Sequence, residues 1–296
     1  MKILLLGKNG QVGQALVRAL APLAGPGELV ALDRSNGGDL GQPEALTQTI
    51  RALRPQVIVN AAAYTAVDKA ESEPDQARLV NALAPEVLAK EAQALGAWLV
   101  HYSTDYVFDG SGSRPWLETD SCAPLSVYGQ TKLEGEQAVA SACSRHLIWR
   151  TSWVYAARGG NFAKTMLRLA QERELLTVID DQVGAPTGAD LLADVTALAL
   201  RDALRRPELA GLYHLSAAGE TSWHGYATHV LSQASKIQPK LDLKVREVRA
   251  VPSSAFQTAA RRPLNSRLHT TRLQTAFGLR LPPWQQGVDR MLQEIL

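Results

Sequence analysis

Lys2-Ile3-Leu4-Leu5-Leu6-Gly7-Lys8-Asn9-Gly10-Gln11-Val12-Gly13 decides the fold. A short apolar run ending in glycine reads as a strand buried on both faces. The glycines at 7, 10 and 13 form G-x-x-G-x-x-G and open an amphipathic stretch over residues 11–21. The spacing differs from the G-x-G-x-x-G dinucleotide fingerprint, but the physics is shared. Glycine allows a tight turn and close backbone approach, and a helix N-terminus offers unpaired N–H groups to an anion. Gly7, Gly10 and Gly13 are therefore candidates to cradle a pyrophosphate.

The pattern repeats outward from there. Apolar runs at residues 28–33, 56–63, 97–104 and 146–155 alternate with helical spacing at 43–53, 75–95 and 124–140. This predicts an α/β fold, a doubly wound parallel sheet of Rossmann type. Beyond residue 155 the alternation loosens. Helices are expected at 161–173 and 190–204, strands at 175–180 and 211–216, and a turn at 183–187. After residue 221, helical pieces are separated by Pro239, Pro252, Pro263 and Pro282-Pro283. The expectation is a dinucleotide-binding domain of residues 1–155 plus about 188–216. Residues of about 156–187 plus 217–296 would form a second, smaller substrate-binding lobe.

Composition narrows the class. With 46% hydrophobic and 20% charged residues, the 296-residue chain has the profile of a soluble globular protein. A net charge of +2 gives no electrostatic reason to invoke nucleic acid or an acidic membrane. Cys122 and Cys143 lack metal-type spacing and fit a reducing cytoplasm. No apolar stretch approaches the ~20 residues needed to span a bilayer.

Chemistry-bearing residues fall at the predicted strand ends. Asp33, 20 residues past Gly13, could bind the ribose hydroxyls of NAD, whereas Arg34 could meet the 2′-phosphate of NADP. The two pull in opposite directions. Asp39-Leu40 could close over an adenine, and the small residues of Asn60-Ala-Ala-Ala63-Tyr64-Thr65 leave room for a cofactor. The fourth strand ends in His101-Tyr102-Ser103-Thr104-Asp105. Ser103 and Thr104 point to alternate sides, so one hydroxyl can face the next helix. That helix carries Tyr128 and Lys132, four residues apart and thus on one face. A nearby cation lowers a phenol's pKa from its usual ~10. Such a tyrosine can protonate a carbonyl oxygen while a nicotinamide gives hydride to the carbon.

The glycine turn, Asn60-Ala-Ala-Ala63, Ser103-Thr-Asp-Tyr-Val-Phe108 and Tyr128-x-x-x-Lys132 together resemble the extended short-chain dehydrogenase/reductases. Within them, four further strings are similar to the dTDP-4-dehydrorhamnose reductases: Thr65-Ala-Val-Asp-Lys-Ala-Glu-Ser72, Arg150-Thr-Ser-Trp-Val-Tyr155, Asp181-Gln-x-Gly-Ala-Pro-Thr187 and Arg262-Pro-x-Asn-Ser-Arg-Leu268. The resemblance runs nearly end to end. It implies reduction of the 4-keto group of dTDP-4-dehydro-L-rhamnose by NADPH or NADH, for surface polysaccharides such as O-antigen.

It also implies residue roles. Gly10, Gln11 and Val12 would lie under the pyrophosphate, and Asp39 and Leu40 beside the adenine. Ala63, Tyr64 and Thr65 would line the cofactor, with Tyr102 near its nicotinamide end. Tyr128 would be the proton donor, Lys132 its partner and Thr104 the residue tuning it. Thr104, Asp105 and Trp153 would contact the substrate. Arg262, Asn265 and Arg267 are candidates for its diphosphate. Some members of this family dimerise around Mg²⁺ held by glutamates. Here Ala15 stands where one is expected, leaving Asp190 and Glu294 as candidate ligands of a homodimer's Mg²⁺.

Two other readings compete. An epimerase or dehydratase could use the same scaffold, but Tyr106 stands where a dehydratase's second carboxylate would follow Asp105. A non-catalytic dinucleotide-binding regulatory subunit would not need the intact Tyr128 and Lys132.

Overall fold

The computed structural model describes all residues, 1–296. The first half alternates β1 (Ile3–Leu6), α1 (Gln11–Leu20), β2 (Leu29–Leu32), α2 (Pro43–Leu53) and β3 (Val57–Asn60). It continues with short α3 (Val67–Ala70), α4 (Pro74–Arg78), α5 (Ala84–Leu95), β4 (Trp98–Thr104), α6 (Val127–Ala142) and β5 (His146–Thr151). Then come β6 (Val154–Tyr155), α7 (Phe162–Glu172), β7 (Leu175–Ile179), β8 (Val183–Gly184), β9 (Thr187–Gly188), α8 (Ala189–Ala203) and β10 (Gly211–His214). The chain closes with β11 (Thr221–Ser222), α9 (Trp223–Ile237), β12 (Glu247–Val251), α10 (Thr271–Phe277) and α11 (Trp284–Ile295).

Six strands form one parallel sheet in the order β2-β1-β3-β4-β5-β10. Every residue of β1, β3 and β4 is buried, which is why these strands read as unbroken apolar runs. The order reverses between β1 and β3, and ligands of such sheets bind at the carboxyl ends beside that switch. Gly7, at φ +83°, turns the chain there, and a Cβ on it would stand 2.8 Å from the Ala62 nitrogen.

Two elements depart from expectation. The helix expected over 75–95 is interrupted by a π turn at Leu79–Leu83. Pro85 has no N–H to give the Asn81 carbonyl, so the ordinary helical ladder cannot continue. Gly135 on α6 meets that carbonyl, where a Cβ would collide. The strand expected over 146–155 breaks at Ser152-Trp153, because Trp153 adopts φ +49° and sends β6 off to pair with β9.

Helices α1, α8 and α10 build a core on one face of the sheet, and α2, α5 and α6 build another on the opposite face. A separate core joins α7, β7, α9 and α11. Residues 271–281, expected in the lobe, instead join the sheet core through Leu273, Phe277 and Leu281. Phe277 packs 5.2 Å from the Tyr213 ring and thereby covers β10, the sheet's last strand. Both cysteines are free, and no helix is long and apolar enough to cross a membrane.

Candidate active site

The glycine turn fits a dinucleotide. Gly10 caps α1 without a side chain, and a Cβ there would approach only the Gly7 carbonyl, at 3.4 Å. The first-turn amides are therefore accessible to an anion. Gly13 is closed in, because a Cβ would collide with that same carbonyl.

Asp33 is bound up with the turn. Its carboxylate accepts from Asn9 Nδ2 at 2.8 Å and from the Ser35 hydroxyl at 2.6 Å, and lies 3.3 Å from Lys8 Nζ. The Ser35 hydrogen bonds, with Lys8 and Asn9 behind them, hold its pKa down near about 2. Arg34 beside it is exposed. Asp39 accepts from the Gly41 amide at 2.9 Å. The Leu40 side chain is buried in the core cluster that also holds Leu4 and Leu6. Ala63, Tyr64 and Thr65 follow β3. Asn81 clamps the Tyr64 backbone from both sides, at 2.8 and 3.1 Å, and the Tyr64 hydroxyl turns to Glu73 at 2.7 Å.

The reactive groups meet where α6 abuts the end of β4. The Ser126 hydroxyl caps α6 by accepting from the Gly129 amide at 3.2 Å. Gly129 lies against the Tyr106 carbonyl, where a Cβ would collide, so the first turn of α6 is pressed onto the turn after Thr104. This brings Tyr128 to Thr104, whose hydroxyl pulls the phenol's pKa down while donating to Asp105 Oδ1 at 3.1 Å. The sequence left Ser103 and Thr104 as alternatives; of the two, Thr104 is the one that acts on the Tyr128 phenol. The Ser103 hydroxyl is buried without a partner. Tyr106 packs edge-on against Tyr128 at 5.6 Å.

Burial pushes the Tyr128 phenol up to about 12, and Thr104 pulls against that. The expected lowering by Lys132 is absent, because its ammonium is turned to the Tyr102 carbonyl at 2.6 Å, with His101 Nε2 at 3.5 Å. Burial draws Lys132 itself down to about 8, against Glu136, which raises it. Tyr102 meets the site through that carbonyl, and its hydroxyl points to Thr196 on α8 at 2.6 Å. Behind Lys132, Arg150 of β5 grips Glu136 of α6 at 2.7 Å, with the two side chains 5% and 3% exposed. The sequence reading missed this pair, since nothing local links a strand arginine to a helix glutamate.

Beyond Thr104 lies Asp105. Burial raises its carboxyl to about 6, opposed by hydrogen bonds from Ser266 and Thr104, and its Oδ2 has no partner. Trp153 stands two residues past Thr151, the β5 neighbour of Thr104. A cavity of about 870 Å³ opens beside Tyr106, lined by Phe162, Trp223, Phe256, Arg261 and Arg262 among others. Four of these five went unremarked in the sequence, where no motif joins positions so far apart.

Of the three candidate diphosphate residues, Arg262 reaches the cavity, paired with Asp68 at 2.7 Å. Arg267 pairs with Glu220 at 2.8 Å. Asn265 is buried, and its amide donates to the Arg114 carbonyl at 2.8 Å while its Oδ1 accepts from Arg267. Its polar atoms brace a loop in this structure.

The single chain gives the candidate Mg²⁺ ligands no support. Asp190 pairs with Arg290 at 2.7 Å and lies 3.8 Å from Arg18, which itself holds Asp194 at 2.7 Å. Arginines neutralise the carboxylates that a hard cation would need. No group of three or more His, Cys, Asp or Glu side chains is placed to hold a metal.

A parallel sheet with a glycine cradle at its switch point, and Thr, Tyr and Lys at its carboxyl edge, is the arrangement of a short-chain dehydrogenase/reductase. The family described as "RmlD substrate binding domain" matches residues 1–296, and this chain belongs to it. The dTDP-4-dehydrorhamnose reductase of Escherichia coli (strain K12) is 58% identical over 298 residues, covering 100% of this chain and 98% of that protein. Among solved structures, a dTDP-4-dehydrorhamnose reductase from Clostridium acetobutylicum superposes with TM-score 0.88 at 34% identity, covering 98% of each chain. One from Bacillus anthracis, in complex with NADP, gives TM-score 0.86 at 36% identity, covering 98% of this chain and 99% of that one.

Proposed function

We propose that this protein reduces the 4-keto group of dTDP-4-dehydro-L-rhamnose to give dTDP-L-rhamnose, using NADPH or NADH. The observation that carries the reading is the meeting of Tyr128, buried Thr104 and buried Lys132 at the sheet's carboxyl edge, where Thr104 opposes the rise of the Tyr128 pKa. The full-length likeness to reductases of that name supports it.

Gly7, Gly10, Gln11, Val12 and Gly13 would hold the pyrophosphate at the start of α1. Lys132 would hold the ribose. When bound there, a reduced nicotinamide supplies hydride to the ketone carbon. Tyr128 gives its phenolic proton to the ketone oxygen, and Thr104 and Asp105 orient the sugar. As the phenolate forms, Thr104 stabilises it. The cavity beside Tyr106 would take the nucleotide, with Arg262 at its diphosphate, so the core of α7, β7, α9 and α11 serves as the substrate lobe. Exposed Arg34 favours a 2′-phosphate, whereas the ionised Asp33 carboxylate favours ribose hydroxyls, so the site admits either cofactor. The product would serve surface polysaccharides such as O-antigen, made in the cytoplasm.

A dehydratase is disfavoured because Tyr106, packed on Tyr128, occupies the place of a second carboxylate. Deuterium supplied on the reduced cofactor tests the reading. It should appear at C4 of the product, whereas an epimerase or dehydratase would return it to the cofactor or leave it there.

A further inference from the structure

We propose that Trp223 is a positioning residue for the sugar nucleotide, acting through Trp153; this rests on the reductase reading. Trp153 holds φ +49°, a left-handed backbone that a bulky residue keeps only when its surroundings force it. Its ring lies on that of Trp223, with centroids 3.6 Å apart and planes 13° from parallel. Trp223 is itself fixed: its Nε1–H donates to Gln182 Oε1 at 3.1 Å, and Phe162 packs against it at 4.6 Å. Gly184 supplies the room, since a Cβ there would stand 2.8 Å from Trp153 Cε2.

An aromatic that merely filled a core would need neither the strained backbone nor a glycine opposite. The location explains both. Trp153 follows the strand registered against Thr104, and Trp223 lines the cavity that begins at Tyr106. The stacked pair therefore reaches from the catalytic edge into the space for the nucleotide sugar. Indole surfaces suit the C–H faces and the methyl group of a 6-deoxy pyranose. Without Trp223, Trp153 can relax its backbone and leave that seat.

The test compares wild type with Trp223→Ala, Trp223→Phe and Gly184→Ala. The last crowds Trp153 while leaving Trp223 in place, and covers the case in which Trp223→Ala does not fold. Circular dichroism reads the coupled-indole signal, which Trp153→Phe defines by its loss. Trp223→Ala and Gly184→Ala should each weaken that signal and raise KM for the sugar nucleotide about tenfold, the loss of one aromatic stack. KM for NADPH should stay unchanged, and Trp223→Phe should recover most of the sugar-nucleotide KM. A weakened signal with wild-type KM for the sugar nucleotide overturns the proposal, as does a parallel rise in both KM values. Wild type failing to reduce the sugar nucleotide would instead overturn the reductase reading, and this inference with it.

Discussion

Lys132 donates to the carbonyl of Tyr102 at 2.6 Å from a position that is only 2% exposed. A lysine so enclosed loses its proton near about 8 rather than at its usual 10.5. Its charge is then present at neutral pH and lost just above it. In the proposed reaction, kcat/KM for the sugar nucleotide should fall as pH rises through about 8. A pH–rate profile checks this, and Lys132→Met should remove that limb and weaken cofactor binding.

Tyr128 and Thr104 divide the acid's work. Tyr128→Phe removes the proton and should lower kcat by about 10²–10⁴-fold, with the cofactor Kd unchanged. Thr104→Val keeps the proton but removes the hydroxyl that opposes the effect of burial on the phenol. It should lower kcat by a smaller factor and move the Tyr128 titration upward. Steady-state rates paired with cofactor titration separate the two.

The glycine cradle gives a sharper contrast. Gly13→Ala drives a Cβ into the Gly7 carbonyl and should unfold or strongly destabilise the protein. Gly10→Ala meets nothing closer than 3.4 Å, so Tm should hold while cofactor affinity falls, because the methyl enters the anion's space. Thermal melts and cofactor titrations of both variants check the pair.

Asp105 should act against stability. Its folded carboxyl titrates near about 6, above the ~3.9 of an unfolded chain. The folded state therefore binds more protons between those values, and stability falls as pH rises through that window. Asp105→Asn should gain on the order of 2–3 kcal/mol at pH 7 and little below about pH 4. The same variant should lose turnover if Asp105 orients the sugar. Denaturant melts across pH report the first effect.

The Arg150–Glu136 pair should behave in the opposite way. Breaking it with Glu136→Ala leaves a buried, uncompensated guanidinium and should cost about 3–5 kcal/mol. Replacing both residues with apolar side chains should cost less than Glu136→Ala alone. A double-mutant cycle by chemical denaturation measures the difference.

Signals within a few residues of one another were legible in the sequence. The strand, glycine turn and helix of residues 2–21, and the four-residue step from Tyr128 to Lys132, depend on local spacing, and both appear in the structure where spacing puts them. The break at 79–83 had a signal in Pro85, but apolar periodicity runs through it and hid the π turn. The side chain of Tyr102 turned away because strand alternation gave it to α8, which lies far along the chain. Asn265 looked like a free polar contact until its carbonyl partners, 151 and 154 positions away, were in place. The same holds for Asp190, whose arginine partner Arg290 is 100 residues distant. Contacts of that range leave no local trace, so the ion pairs at Asp190 could not be read in advance.

The most direct test of the central claim supplies dTDP-4-dehydro-L-rhamnose with NADPH, and in parallel with NADH, and follows cofactor absorbance alongside the sugar product. The account predicts one reduced cofactor consumed for each dTDP-L-rhamnose formed, with turnover largely lost in Tyr128→Phe. Conversion of the sugar at constant cofactor absorbance, or wild-type turnover in Tyr128→Phe, would contradict it.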